Sequence, residues 1–176
     1  MQLKSNLLAK LIADHCPSVE LGAGAGLVGL AVARGCNTTK PIFITDQLPM
    51  LPLMQKNIVL NDLGSKVAAV VYDWGTPVPN TIPQTLEAKQ AEWYPDVILA
   101  ADCVYFEPAF PLLLQTLSDL LGPETVCYFC FKKRRKADWR FIKQMQKQFD
   151  AKPVPYKGRE EDQRENIYLF EVRRRR

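Results

Sequence analysis

The chain is poor in the residues that build metal centres. It has one histidine, His15, and no second Cys-x-x-Cys beside Cys127-x-x-Cys130. That pair lies in the strand-like run Val126 to Phe131, where residues three apart face opposite sides, so two small buried hydrophobes account for it better than a zinc site. No uncharged apolar run reaches the roughly 18 residues of a membrane span, which excludes a transmembrane helix. The first 16 residues are expected to form an amphipathic helix rather than a signal peptide: Leu3, Leu7, Leu8, Leu11 and Ile12 recur at helical spacing, and Lys4, Lys10 and Asp14 interrupt any apolar core of a leader. Five cysteines (16, 36, 103, 127 and 130), an odd number in mostly apolar contexts, fit reduced thiols in a cytoplasmic protein. Internal repeats and low-complexity tracts are also missing.

What is present is enough for one core. Of the 176 residues 47% are hydrophobic, which excludes a disordered chain. The net charge of +4 conceals an acidic body, because nine basic residues lie in two runs, Lys132 to Lys136 and Arg173 to Arg176. The second run reads as a solvated tail. The first follows a predicted strand directly and so projects from the carboxyl edge of the sheet, where it can meet an acidic protein surface or RNA. Without interleaved aromatics it does not read as a nucleic-acid module.

Strands and helices alternate along the chain, the pattern of a parallel sheet with crossover helices. The spacing predicts helix 2–14, strand 17–21, helix 25–35, strand 41–45, helix 48–62, strands 67–72 and 95–101, helix 109–121, strand 125–131 and helix 137–149. A closing pair, 152–156 and 166–173, is joined by a polar loop and forms an antiparallel hairpin. The segment Trp74 to Tyr94 breaks the alternation with Pro77, Pro79 and Pro83, then a short helical stretch around Gln84 to Ala91.

Val19 to Gly29, followed by Ile42-Phe43-Ile44-Thr45-Asp46, reads as a nucleoside-cofactor cradle. Closely spaced glycines after a strand let the backbone turn and approach a ligand, and the next helix points its N–H groups at it. Asp46, at the end of the second strand, can accept hydrogen bonds from both ribose hydroxyls. Gly24-x-Gly26-x-x-Gly29 has dinucleotide spacing, yet Gly22 already occupies the corner after the strand. The register from that corner is Glu20-x-Gly22-x-Gly24-x-Gly26. An acid there repels a pyrophosphate and suits a cofactor carrying an ammonium and a sulfonium, which sets a dinucleotide oxidoreductase aside.

The remaining strand ends supply further chemistry. After the third come Asp73, able to accept from an adenine amino group, and Trp74, able to cover the base; a turn-initiating Asp beside a core Trp is the plainer alternative. The fourth strand emerges at Ala101-Asp102-Cys103-Val104-Tyr105.

Glu20 through Gly26 resembles the first motif of S-adenosylmethionine-dependent methyltransferases with a seven-stranded sheet. Together with Thr45-Asp46, Asn57 and Asn61, Asp73-Trp74 and the Asp102-x-x-Tyr105 motif, it resembles methyltransferase family 16, mostly protein-lysine methyltransferases, over residues 3 to 172. Ala101 to Leu121 with Phe131 to Asp138 is most similar to fungal members that methylate elongation factor 1A. The resemblance implies an α/β, Rossmann-like sheet of five parallel strands plus the closing hairpin, with helices on both faces. It implies one methyltransferase domain over 1–176, short at its N-terminus because members carry a β-rich, tryptophan-containing segment ahead of the first helix.

The resemblance also implies roles. Glu20, Gly22, Gly24, Gly26, Asp46, Asp73, Trp74 and Ala101 hold S-adenosylmethionine, while Asp102 orients a lysine amine and Tyr105 walls its channel through a cation–π contact. The expected partner is a protein substrate met by a monomer, without metal, membrane or nucleic acid. Residues 102–105 lack the two prolines of the turn that marks amino-methylation of nucleobases. A methyltransferase fold without catalysis that works as an interaction module, and a small-molecule methyltransferase, stay open at this stage.

Overall fold

The computed structural model describes residues 18–36, 40–84 and 94–175. The expected helix 2–14, and most of the helical stretch expected around Gln84 to Ala91, lie outside them.

Seven strands form one sheet in the order β3-β2-β1-β4-β5-β7-β6. They are β1 (Ser18–Leu21), β2 (Ile42–Asp46), β3 (Val67–Val71), β4 (Val97–Ala101), β5 (Val126–Lys132), β6 (Phe149–Pro153) and β7 (Ile167–Arg174). The first five are parallel, and β7 lies antiparallel between β5 and β6. Only β7 is therefore reversed, since β6 runs with the first five. The helices are α1 (Leu27–Gly35), α2 (Leu51–Leu60), the single turn α3 (Thr81–Gln84), α4 (Phe110–Leu120), α5 (Lys136–Gln148) and α6 (Arg159–Arg164).

The two-residue period of the strands builds a core on each face. Val19, Leu21, Ile98, Ala100, Cys127 and Phe129 pack with Leu113 and Leu117 of α4 and Phe141 and Met145 of α5. Ile42, Ile44, Val97, Leu99 and Tyr128 pack on the other face with Leu30 and Ala33 of α1 and Met54 and Ile58 of α2. Gly29 makes the α1 contact possible, because a Cβ there would overlap Ile44 Cγ2. Cys127 packs in the core on the α4 and α5 face, and Cys130, three residues on, is half-buried.

The largest departure from the expected elements is at the closing pair. Helix α5 ends at Gln148 and β6 begins at once with Phe149. Phe149 continues the helical spacing of Phe141, Ile142 and Met145, yet pairing with Arg174 of β7 draws it into the sheet while its ring stays buried. The expected polar loop holds α6, entered through Gly158 at φ 91° and tied down by Tyr156, whose hydroxyl donates to Asp162 Oδ2 at 2.8 Å.

The strand order reverses between β1 and β4, both of which pair as parallel neighbours. In open parallel sheets a crevice forms outside the carboxyl ends at such a switch point. The residues that follow β1 and β4 are Gly22 and Asp102.

Candidate active site

The chain leaves β1 through Gly22 at φ 58°, a left-handed turn that glycine makes without steric cost. A Cβ at Gly22 would lie 2.8 Å from Trp74 Cζ2 and 3.2 Å from Cys103 Sγ, so the bare backbone is what lets the indole close over the turn. Ala23 N–H donates to the Thr45 carbonyl at 2.9 Å, and Gly24 N–H to Asp46 Oδ2 at 2.7 Å. Asp46 Oδ1 accepts from Gln47 N–H at 2.7 Å. The glycine loop and the end of β2 are thus one hydrogen-bonded unit. Asn57 of α2 braces it from outside, donating to the Ala25 carbonyl at 2.8 Å.

A cleft of about 460 Å³ opens at this point. Gly22, Asp46 and Gln47 form one wall, and Tyr72, Asp73 and Trp74 after β3 form the second. Tyr105, Phe106, Pro108 and Ala109, between β4 and α4, form an apolar third with Leu112 of α4. Its volume lies within the range of small-molecule sites, and an apolar lining with a few convergent carboxylates is their usual make-up. Tyr105 is 62% exposed at the lip, and burial of its hydroxyl, with the charge of Asp46 nearby, raises its pKa above the ordinary tyrosine value.

Five of the expected residues, Gly22, Asp46, Asp73, Trp74 and Tyr105, therefore line one cleft. Glu20, Gly24, Gly26, Ala101 and Asp102 lie outside its lining. Glu20 stands one residue out of phase with Val19 and Leu21, so its side chain turns toward α1. There it is 2% exposed, and Oε2 accepts from Gly29 N–H at 2.8 Å. Burial pushes its pKa up to about 7 against the pull of the Gly29 and Val28 N–H groups. Gly24 and Gly26 shape the loop from behind, at φ 54° and 81°.

Asp102 has φ 61°, a left-handed conformation uncommon outside glycine. Its N–H donates to the Cys130 carbonyl at 2.8 Å, and the sharp turn sends Cys103 beneath the loop, where its thiol donates to the Leu21 carbonyl at 3.2 Å. Burial raises the Cys103 pKa well above the ordinary thiol value. The carboxylate of Asp102 stays half-exposed and holds a partner absent from the expectation: Arg134 Nη1 and Nη2 donate to Oδ1 and Oδ2 at 2.7 and 2.8 Å.

The basic run after β5 thus turns partly inward. Arg134 takes Asp102, and Arg135 Nη2 donates to the Tyr105 carbonyl at 2.5 Å. Both are anchored by Asp138 in the first turn of α5, whose side chain is fully buried. Asp138 Oδ2 accepts from the N–H groups of Arg134 and Arg135 at 2.7 and 2.8 Å. Burial works to raise the Asp138 pKa, but these donors and the Arg135 guanidinium hold it below the ordinary aspartate value. The sequence signal was an acid three residues after Arg135, at the position of a capping box.

Comparison with known proteins identifies the family of the chain. Residues 4–148 match the profile of a family described as lysine methyltransferase. Among curated relatives, protein-lysine N-methyltransferase EFM6 of Saccharomyces cerevisiae is 36% identical over 89% of this chain and 66% of its own. Protein N-lysine methyltransferase METTL21A of Danio rerio is 35% identical over 86% and 63%, and EEF1A lysine methyltransferase 3 of Mus musculus 34% over 85% and 59%. The chain spans 59–66% of the length of these relatives. An O-methyltransferase family protein of Burkholderia thailandensis superposes with a TM-score of 0.70 over 98% of this chain and 55% of its own. At 13% identity that likeness concerns the fold alone.

Proposed function

Because this chain belongs to the lysine methyltransferase family, we propose that it transfers a methyl group from S-adenosylmethionine to the side-chain nitrogen of a lysine on a protein partner. Elongation factor 1A is the substrate we infer, in keeping with the name of the mouse relative, and the setting is the cytoplasm, where the chain acts as a monomer. One observation supports the reading most: the glycine turn with Asp46, Asp73 and Trp74 meets the Asp102–Tyr105 segment at the sheet's switch point.

The residues fit a nucleoside. Each Asp46 oxygen accepts one backbone N–H and keeps lone-pair capacity for a ribose hydroxyl. Beside the Gly22 turn, Trp74 offers an aromatic surface to a base and Asp73 an acceptor for its amino group. When bound, S-adenosylmethionine supplies an electrophilic methyl group, its sulfonium leaving as a neutral thioether. Tyr105 and Phe106 provide apolar walls that orient the stem of a lysine, the tyrosine face attracting its cation. Asp102, beyond the lip, accepts a hydrogen bond from the amine and fixes its approach. The acceptor must shed one proton to present a lone pair, and the half-exposed loop leaves water free to take it.

The test is labelled S-adenosylmethionine incubated with this protein and purified elongation factor 1A. Label should appear on lysine, and Asp102→Ala should abolish it while calorimetry still detects cofactor binding. Cofactor binding without label on any lysine by the unaltered protein would sink the proposal.

A further inference from the structure

Three observations on the basic run need one explanation. Arg134 and Arg135 both reach back more than 29 residues to the Asp102–Tyr105 segment, one to a side chain and one to a carbonyl. Both take their backbone position from one buried carboxylate, Asp138. Beyond the run, Arg140 on the next turn of α5 donates to Glu107 Oε1 at 2.5 Å, two residues past Tyr105, so the contact continues into the loop before α4.

Stability does not account for the best formed of these contacts. The Arg134–Asp102 pair has side chains 45% and 52% exposed, and exposed pairs contribute about 0–1 kcal/mol. Geometry is what it supplies: two parallel N–H···O bonds hold both carboxylate oxygens in one plane, on a residue whose backbone already sits in a sparsely populated conformation. Each oxygen keeps lone-pair capacity, so an amine can bond Asp102 without displacing the guanidinium.

We propose that Arg134 and Arg135 form a clamp on the Asp102–Tyr105 segment, with Arg134 the positioning residue that fixes and electrically neutralises Asp102 for methyl transfer. The inference rests on the reading of Asp102 as the residue that meets the acceptor lysine. A bare carboxylate within about 4–6 Å of an amine favours the ammonium by one or more pH units, and each unit leaves about tenfold less neutral amine. Paired with Arg134, Asp102 still accepts a hydrogen bond but no longer holds the acceptor protonated.

A distinctive kinetic signature follows. Arg134→Gln frees a full negative charge, so kcat should fall about tenfold while KM for the protein substrate stays level or falls. Arg134→Lys restores the charge but not the two-pronged geometry, so it should recover kcat in part, to a level between Arg134→Gln and the unaltered protein. The assay uses elongation factor 1A with labelled S-adenosylmethionine, beside amide exchange of the Asp102 N–H, which should speed up about threefold in Arg134→Gln. An unchanged kcat, or a raised KM with kcat intact, overturns the role of Arg134, the second result pointing to a contact with an acidic partner. If the unaltered protein methylates nothing, the proposed function fails, and the clamp is judged on exchange alone: acceleration supports it, no change refutes it.

Discussion

Glu20→Gln isolates the effect of burying one carboxyl under α1. The group is 2% exposed, and burial lifts its pKa from the ordinary 4.5 to about 7. Between those values the folded protein binds a proton that the unfolded chain has released. Stability from this group is therefore complete below pH 4.5 and is lost as pH rises through about 7. At about 1.4 kcal/mol per unit, the loss amounts to about 3 kcal/mol. Glutamine keeps the shape and an oxygen to accept the Gly29 N–H, and has no proton to lose. Urea denaturation of both proteins at pH 5 and pH 8 gives the comparison directly. The unaltered protein should lose about 2.5 kcal/mol more than the variant between the two pH values, since part of the loss already occurs below pH 5, and the variant should be the more stable at pH 8. Equal pH dependence in the two proteins, or a variant weaker at pH 8, would refute the reasoning that burial dominates over the N–H donors.

Other substitutions probe the remaining parts. Gly29→Ala brings a methyl against Ile44 Cγ2 and 2.7 Å from Glu20 Oε2, and should cost about 1–3 kcal/mol in denaturant titration. Trp74→Ala should weaken S-adenosylmethionine binding about tenfold by calorimetry and also cost about 1–2 kcal/mol in denaturant titration, because the half-buried indole lines the cleft and packs against the core. Asp138→Ala removes the shared acceptor of the Arg134 and Arg135 N–H groups at the start of α5, and should cost about 2 kcal/mol.

The sheet was legible because its strands are short apolar runs set between helical patterns, and that rhythm survives without knowledge of any contact. Asp46, Asp73 and Trp74 were legible for the same reason: parallel strands bring their carboxyl ends to one side, so position along the strand foretells position in the cleft. Glu20 shows a limit of motif reading. Its motif pointed to a cofactor, but the two-residue period beside Val19 and Leu21 already directed it toward α1. Phe149 shows another, since its spacing serves a helix and its pairing a strand, and tertiary contact decides. The Arg134–Asp102 pair joins residues 32 apart in sequence, and a basic run looks the same on paper whether it faces solvent or folds onto a neighbouring strand end.

The central claim is that the cleft serves methyl transfer to a protein lysine. Mass spectrometry of methylated lysines in source cells with and without this gene tests it most directly. One lysine site, on elongation factor 1A, should lose its methylation when the gene is removed and regain it with the unaltered gene but not with Asp102→Ala. An unchanged lysine methylation map in the cells lacking the gene would contradict it.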